Sequence, residues 1–444
     1  MEPNTLLDAL LDEAGMSRAG LAARVNAAGA DLPKPLRYDH TAVGRWIRGE
    51  RPRGPVPGMI CDALSERLHR PLTIDDIGMG KPGSMPAPTE LGGFVERATA
   101  LWRSDRQQRP DVQAAPAIVG QAAVMPVWEW ENPPDDRDVS RPGTPRVGTT
   151  DVEMLRSART RYEHMYRSAG GVATRGRIVG FLTGYTAPLL RGSYNDATGR
   201  QLYRASGGLV AVAGICAYDS DAQGLAQRYF HHALRLAKAS GDRAFGGYVI
   251  ALLVNQAIFL RDYRQAVAFA EAGLRAAGDQ ISPALATDLN AMQAKAFARL
   301  GETAAAHKAM DRAEHAAARI RRGEEPPETG YVQPGLVEAQ LAEALISLQD
   351  WHPARQFAEE AVRTQAHARG RVHRLATLTT VDLGRGEPEQ AAANAVAALG
   401  LAAGMESQRL RDRFVTLRGK LAGHGSAAAR DAVEQIDASL SVPL

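Results

Sequence analysis

The sequence predicts an all-α protein whose C-terminal part is a solenoid of stacked helical hairpins. Five segments repeat small and large residues at offsets of four and three, which puts each set on one helical face: Ala226, Phe230 and Ala233; Ala266, Ala270 and Gly273; Ala306, Met310 and Ala313; Ala354, Ala358 and Ala361; Ala391, Ala395 and Ala398. The first alanines of these sets are 40, 40, 48 and 37 residues apart, a period typical of repeat arrays. Hydrophobic residues make up 45% of the chain and aromatic residues 6%, which indicates a core built from alanine and leucine. Each hairpin of such an array buries its apolar face against its neighbours, and the stack presents a long curved surface to a partner.

Residues 1–78 are predicted to form a compact bundle of short helices. Capping residues and apolar spacing set their order: a first helix with Leu6, Leu7, Leu10 and Leu11; a second, capped by Ser17, with Leu21, Ala22 and Val25; a third, capped by Asp39, with Val43, Trp46 and Ile47; and a fourth with Ile60, Leu64 and Leu68. Gly49 and Pro52 end the third helix, and Thr73 begins a last short turn that reaches Ile77.

Residues 79–148 are predicted to be a Pro-rich linker. The stretch 79–90 is rich in Pro, Gly and Ser, a composition typical of linkers. A short helix is expected near 94–106, followed by an irregular Pro-rich stretch at 109–148. Because large apolar side chains seek burial, we expect Trp128 and Trp130 to anchor that stretch on a neighbouring domain rather than to bind a ligand.

Residues 149–444 are predicted to be the helical repeat domain. Helices near 151–169 and 172–190 precede the repeats, and helices near 405–422 and 426–440 follow them. These flanking helices would cover the terminal apolar faces, as the end hairpins of solenoids do.

Composition and motifs argue against several classes of protein. The cysteines, Cys61 and Cys216, are far apart and have no metal-ligand neighbours, which fits a reducing compartment and argues against a disulfide scaffold or a zinc finger. We find neither a secretory signal pattern nor a long uncharged apolar run, so we expect a cytoplasmic protein that does not bind membranes. His-Glu-x-x-His and Gly-x-Ser-x-Gly motifs are both absent from the sequence. We therefore expect no metal, no cofactor and no enzymatic activity. The histidine pairs His231/His232 and His367/His373 are expected to be packing or surface residues.

The third short helix and its flanks carry the most specific local pattern. Between Lys34 and Arg53 six basic residues accompany two acidic ones, a net charge of +4, whereas residues 1–78 together hold ten basic and eleven acidic side chains. A helix that enters the major groove between phosphate-neutralising Arg and Lys residues suits duplex DNA. The alternative is a solvated charged loop. The predicted DNA-binding residues are Lys34, Arg37, His40, Thr41, Gly44, Arg45, Arg48, Arg51 and Arg53. Gly44 is expected on the outer face of the helix, where its small size would admit a backbone or a phosphate.

Two stretches, Ser17–Val25 and Thr41–Pro52, resemble the helix-turn-helix of Xre/Cro-type regulators, in which the second helix reads the DNA. The connection 29–38 is longer than the tight turn of that family and contains Pro33 and Pro35. Either the two helices are differently spaced, or the loop itself contacts the DNA backbone through Lys34 and Arg37.

The repeats resemble tetratricopeptide hairpins, through Gly214, Ala226, Phe230 and Ala233 and again through Asp262, Tyr263 and Ala266. The whole arrangement, including 224–230 and 187–192, resembles a group of actinobacterial tetratricopeptide transcriptional regulators with an Xre-type head. This resemblance implies regulation, commonly of development or secondary metabolism.

The leading hypothesis is therefore a DNA-binding transcriptional regulator with a sensing repeat domain. The alternative is a protein–protein interaction scaffold whose helix-turn-helix fold does not bind DNA. Because one recognition helix contacts only a few base pairs, we expect a homodimer, joined through the repeat domain or the Trp128/Trp130 segment.

A groove for an effector or partner is predicted on the first helices of the repeats. Counting back from the alanine landmarks places there Ile215, Tyr218, Asn255, Ile258, Lys295, Arg299 and Glu343. The amide of Asn255 can hold a peptide backbone, and Lys295 and Arg299 can take a carboxylate. The expected effector is a peptide or protein segment.

Overall fold

The computed structural model describes residues 4–30, 35–68, 72, 74, 77–79, 91–321 and 323–441. Within these ranges the chain is helical, with two isolated β-bridges (Arg141 to Tyr194 and Arg146 to Ser193) and no strand, which confirms the predicted all-α class. No helix of the described part is both long and apolar enough to cross a bilayer. Lys34, Thr73 and most of the predicted linker 79–90 lie outside the described residues.

The chain folds as two compact units, Met1–Ala100 and Leu101–Leu444. The first unit contains α1 (Thr5–Glu13), α2 (Arg18–Ala28), α3 (His40–Ile47) and α4 (Val56–Leu68), and the division between the units falls within α5 (Leu91–Arg106). Its core brings together apolar side chains of the first four helices: Leu7, Leu21, Val43, Trp46, Ile60 and Leu64. Leu6, predicted on the apolar stripe of α1, is instead 54% exposed, because it lies beyond the strip of α1 that faces the core.

The second unit begins with two helices that sequence analysis assigned to an irregular linker, α6 (Pro110–Gln113) and α7 (Gln121–Glu131). The remaining helices of the unit follow in order: α8 (Thr149–Ala169), α9 (Gly171–Phe181), α10 (Ala187–Leu190), α11 (Asp196–Asp219), α12 (Gln223–Ser240), α13 (Arg243–Phe259), α14 (Tyr263–Ala277), α15 (Pro283–Leu300), α16 (Thr303–Ala317), α17 (Leu336–Ser347), α18 (Trp351–Arg363), α19 (Ala368–Gly384), α20 (Pro388–Ala402), α21 (Gln408–Leu421) and α22 (Ala427–Leu440).

Five helical hairpins, α11/α12 to α19/α20, form the body of this unit. The repeated small and large residues all lie on the second helix of each hairpin, and their side chains are buried. The landmark alanines at 226, 266, 306, 354 and 391 are each 0% exposed. The predicted solenoid face is therefore the packed face, and its small side chains let successive helices approach closely.

The predicted linker is wrong for residues 101–148, which fold against the first repeats of their own unit. The hydroxyl of Tyr229 donates to the Asp105 carboxylate at 2.7 Å, and Arg235 pairs with Asp136 at 2.6 Å. Trp130 is 1% exposed, and its indole lies so close to Gly246 that a Cβ at that position would overlap it. Trp130 is thus an anchor, as expected, but within one unit, while Trp128 is 40% exposed.

The junction between α8 and α9 and the end of α11 contact α19 and the segment just before α21. The backbone N–H of Glu406 donates to the carbonyl of Ala169 at 2.9 Å, and Gly170, with φ +92°, has no room for a Cβ beside Glu406. Buried between them, Asp219 accepts from the Ser407 hydroxyl (2.7 Å) and the Gly171 N–H (2.7 Å) and pairs with the guanidinium of Arg369. These contacts close the row of hairpins on itself.

An insertion between α16 and α17 explains the 48-residue spacing from Ala306 to Ala354. Its 3₁₀ turn, Pro327–Thr329, places the buried carboxylate of Glu328 2.8 Å from Arg204 on α11. The hydroxyl of Tyr331 donates to Asp288 on α15. The insertion therefore covers the inner side of the first repeats.

Candidate nucleic-acid interface and interior cavity

The start of α3 is fixed by its capping residue, Asp39. Its carboxylate accepts hydrogen bonds from the backbone N–H groups of Thr41 (3.1 Å) and Ala42 (2.9 Å) and from the Thr41 hydroxyl (2.7 Å). These bonds, led by that from the Thr41 side chain, lower the pKa of Asp39. The cap keeps the first turn of α3 in one conformation, and Thr41 itself is exposed.

Most residues predicted to bind DNA are exposed around α3, as a DNA-contacting surface must be. The exposed ones in the described part of the chain are Arg37, His40, Thr41, Arg45, Arg48, Arg51 and Arg53. The Nε atom of Arg45 lies 3.2 Å from Glu50, but both side chains are half exposed, so the pair is weak enough for a phosphate to displace. The basic edge is therefore available on one side of the first unit.

The prediction that Gly44 lies on the outer face of α3 is wrong, because this residue is buried. It lies under the guanidinium groups of Arg48 and Arg18, which would be 3.7 and 3.9 Å from a Cβ at this position. A backbone or phosphate can reach Gly44 only after these two side chains move aside.

Replacing Gly44 by alanine separates folding from binding. We expect Gly44→Ala to stabilise the first unit by up to about 1 kcal/mol, since alanine is the better helix former and the added methyl makes only ordinary contacts. If a phosphate approaches this turn, DNA affinity falls several-fold in the same variant. Thermal unfolding and DNA-binding titrations on one preparation check both parts, and a destabilised variant would contradict the first.

The long connection between α2 and α3 packs back onto α2 in its described part. The side-chain amide of Asn26 donates to the Tyr38 carbonyl and accepts from the Tyr38 N–H, both at 2.8 Å. The Tyr38 ring meets Trp46 edge to face at 5.0 Å, and Leu36 lies against Gly29. These contacts hold Arg37 beside the start of α3 and fix the spacing of the two helices.

The second unit encloses a cavity of about 350 Å³. Of the predicted groove residues, Ile215, Tyr218, Asn255, Lys295 and Glu343 line it. Ile258 and Arg299 do not, because they lie about one turn farther along α13 and α15, where Arg299 is exposed. Counting back from the landmark alanines therefore identified the cavity-lining face of the first helices, but it placed the end of the groove about one turn too far along α13 and α15.

Lys295 was predicted to bind a carboxylate of the effector, but its charge is already paired within the protein. Its Nζ atom lies 2.7 Å from Glu343, which also accepts from Arg413 at 3.1 Å. Burial acts to raise the pKa of Glu343, but the adjacent Lys295 and Arg413 lower it well below its usual range. The three groups form an internal ion cluster in the cavity wall.

A second acidic group lies on the α15 side of the cavity. Asp288 accepts from the Tyr331 hydroxyl and from the Gln340 amide at 2.9 Å. Burial raises the pKa of this carboxyl, while the hydrogen bonds from Tyr331 and Gln340 act to lower it.

Several cavity residues were missed by sequence analysis. Tyr166, Arg369, Arg409 and Arg413 line the cavity, and so do His367 and His373, which were expected to be packing or surface residues. Some come from α8 and α21, flanking helices that were predicted only to cover the terminal faces, and the others come from the start of α19 in the last repeat. The pair Arg409/Arg413, one turn apart on α21, is the one sequence signal that could have indicated them. The described residues contain no group of three His, Cys, Asp or Glu side chains placed to hold a metal.

Comparison with known proteins bears on the first unit. The sequence model of a family described as the SP15 N-terminal domain matches residues 7–80, which include most of α1, all of α2 to α4 and the basic edge around α3. No curated protein matches the chain. The candidate interface on α3 is thus similar to part of the SP15 N-terminal domain.

Proposed function

We propose that this protein is a DNA-binding transcriptional regulator in which the first unit contacts DNA and the second senses an effector. The observation that carries the proposal is the capped helix α3, whose exposed residues form one edge with an excess of positive charge. The resemblance to Xre/Cro-type heads joined to tetratricopeptide repeats supports it and suggests developmental or secondary-metabolic genes as targets.

In this proposal α3 enters the major groove. Its eight residues extend about 12 Å, enough to present one face to a few base pairs. Arg45 and Arg48 point from that face toward base edges or phosphates, while Arg37, Arg51 and Arg53 neutralise phosphates on either side. The match of residues 7–80 to a single domain family supports treating this region as one functional module.

The test is DNA binding by the full chain. Genome-wide footprinting of the tagged protein identifies bound fragments, and fluorescence titrations measure affinity at two salt concentrations. We expect Arg48→Ala to weaken binding by a factor of roughly 5 to 150, since a base-contacting arginine contributes about 1–3 kcal/mol. The exposed Arg430 on α22 offers a matched control, and Arg430→Ala should leave affinity unchanged.

Two results would contradict the proposal. One is the absence of any salt-sensitive, sequence-preferring complex at micromolar protein. The other is a cellular phenotype that survives replacement of both Arg45 and Arg48 by alanine. The second result favours the alternative function, a protein–protein interaction scaffold.

We further propose that the regulator acts as a homodimer. Specific binding at cellular concentration generally needs two half-sites, about one helical turn apart. The exposed Trp128 remains available for self-association, whereas Trp130 is buried within its own unit. Light scattering at tens of micromolar should give twice the monomer mass without DNA and two copies of the chain per complex with DNA, and a monomer in both conditions would refute the dimer.

The effector site in this proposal is the cavity of the second unit. A peptide or protein segment that entered it would meet the Asn255 amide, which can both donate to and accept from a peptide backbone. Such an effector alters DNA binding only if it binds the DNA-bound and free states with different affinities.

A further inference from the structure

One wall of the cavity concentrates positive charge. We define the arginine cluster as Arg369 on α19 with Arg409 and Arg413 on α21, all of which line the cavity. His373 lies among them, and burial together with these three arginines lowers its pKa well below the usual value. The imidazole is therefore neutral, and the charge of this wall comes from the guanidinium groups.

Carboxylates of the protein balance this charge incompletely. Arg369 pairs with Asp219, but Arg413 shares Glu343 with Lys295, so that two cations face one anion. Arg409 has no carboxylate partner in the described part of the chain. Its guanidinium carbon instead lies 4.0 Å from the centre of the Tyr218 ring and 5.2 Å from that of Phe259.

Among the residues that the structure describes, three hydrogen-bonding groups of this wall have no partner. They are the hydroxyl of Tyr218, the Nε atom of Arg409 and one terminal nitrogen of Arg369. Tyr218 and Arg369 are each only 4% exposed, so water does not freely solvate these groups. Burial raises the pKa of Tyr218 to about 12, which keeps its hydroxyl protonated and able to donate. Buried donors without acceptors cost free energy, and each of these groups is able to donate to an anionic oxygen.

The rest of the cavity suits an apolar body. Phe230, Tyr248 and Met292 line it, and each is buried. A volume of about 350 Å³ lies at the lower end of the ~300–1,000 Å³ typical of small-molecule sites. The cavity can therefore hold a compact molecule, or the terminal residues of a peptide, but not a long extended segment.

We propose that the cavity binds a ligand with a carboxylate, which accepts from Tyr218, Arg409 and Arg369, and with an apolar or aromatic body against Tyr248 and Met292. This proposal specifies the chemistry of the effector. Its role in regulation rests on the proposed function. A small aryl acid and the C-terminus of a peptide share the required chemistry.

The test compares each acid with the amide that lacks its carboxylate charge, using the full chain without DNA. Isothermal titration would use indole-3-acetate against indole-3-acetamide, and the tripeptide Gly-Leu-Phe against its C-terminal amide. We expect at least one acid to bind about tenfold or more tightly than its amide, a difference of about 1.4 kcal/mol. The pair that discriminates identifies the source. Equal binding within both pairs, or no binding by either acid, overturns the inference.

Tyr218→Phe tests the named contact without removing packing. Because the hydroxyl has no partner, this variant should be as stable as the parent chain while losing most of the preference for the acid. Arg409→Met should lose it as well, and Arg430→Met on α22 is the matched control that should keep it. An unchanged preference in both cavity variants would refute the assignment.

These outcomes are separable from those of the proposed function. If the acid binds but the affinity for DNA does not change, the carboxylate site stands and the sensor role fails. If the protein binds DNA but neither acid binds, the regulator stands and this inference fails.

Discussion

Asp219→Ala is expected to destabilise the second unit by about 3–5 kcal/mol. The substitution leaves the guanidinium of Arg369 buried without its carboxylate, and breaking one partner from a buried ion pair has a cost of this size. It also removes the acceptor for the Ser407 hydroxyl and the Gly171 N–H. Urea denaturation followed by circular dichroism measures the change. Glu434→Ala, an exposed acid on α22, is the matched control and should lie within about 0.5 kcal/mol of the parent.

A second variant separates the ion pair from the other contacts of Asp219. In Asp219→Ala/Arg369→Met the unpaired buried charge is gone, so part of the lost stability should return. If the double variant is less stable than Asp219→Ala alone, Arg369 stabilises the fold even without Asp219. That result would contradict our interpretation that the unpaired guanidinium is destabilising.

Trp130→Ala is expected to cost about 3–5 kcal/mol, as removal of a fully buried tryptophan generally does. The indole fills the space against Gly246, and its loss should loosen 109–148 from the repeats as well. Thermal unfolding measures the first effect, and limited proteolysis of that segment measures the second.

The neighbouring tryptophan provides the control. Trp128 is 40% exposed on the same helix, so Trp128→Ala should change the free energy of unfolding by no more than about 0.5 kcal/mol. Equal destabilisation by the two substitutions would mean that α7 is not docked through Trp130.

The repeats were predictable because their packing is local. Ala226 and its counterparts contact the next helix or two along the chain, so spacing alone revealed the buried face. The basic edge around α3 was also visible in the sequence, although the burial of Gly44 depends on the rotamers of Arg18 and Arg48, which no sequence period encodes.

The closure and the cavity wall depend on contacts between distant parts of the chain. Asp219 and Ser407 are 188 residues apart, and no spacing rule connects them. The tetratricopeptide resemblance also suggests an open stack, in which α21 would only cover an end, so Arg409 and Arg413 received no role. The insertion is visible in the sequence as the 48-residue interval between Ala306 and Ala354, but that interval does not show that it lies across the inner side of the repeats, where Glu328 pairs with Arg204.

Closure of the row of hairpins has a consequence for synthesis and folding. An open array can fold hairpin by hairpin as the chain emerges, because each unit needs only its neighbour. Here the cavity wall uses residues from Glu163 to Arg413, so the complete pocket exists only after nearly the whole chain has been made. Joining Ala169 to Glu406 also requires closing a loop of more than two hundred residues, which makes it a late and entropically costly step. A nascent or truncated chain that ends before α21 can therefore hold folded repeats yet lack the complete cavity.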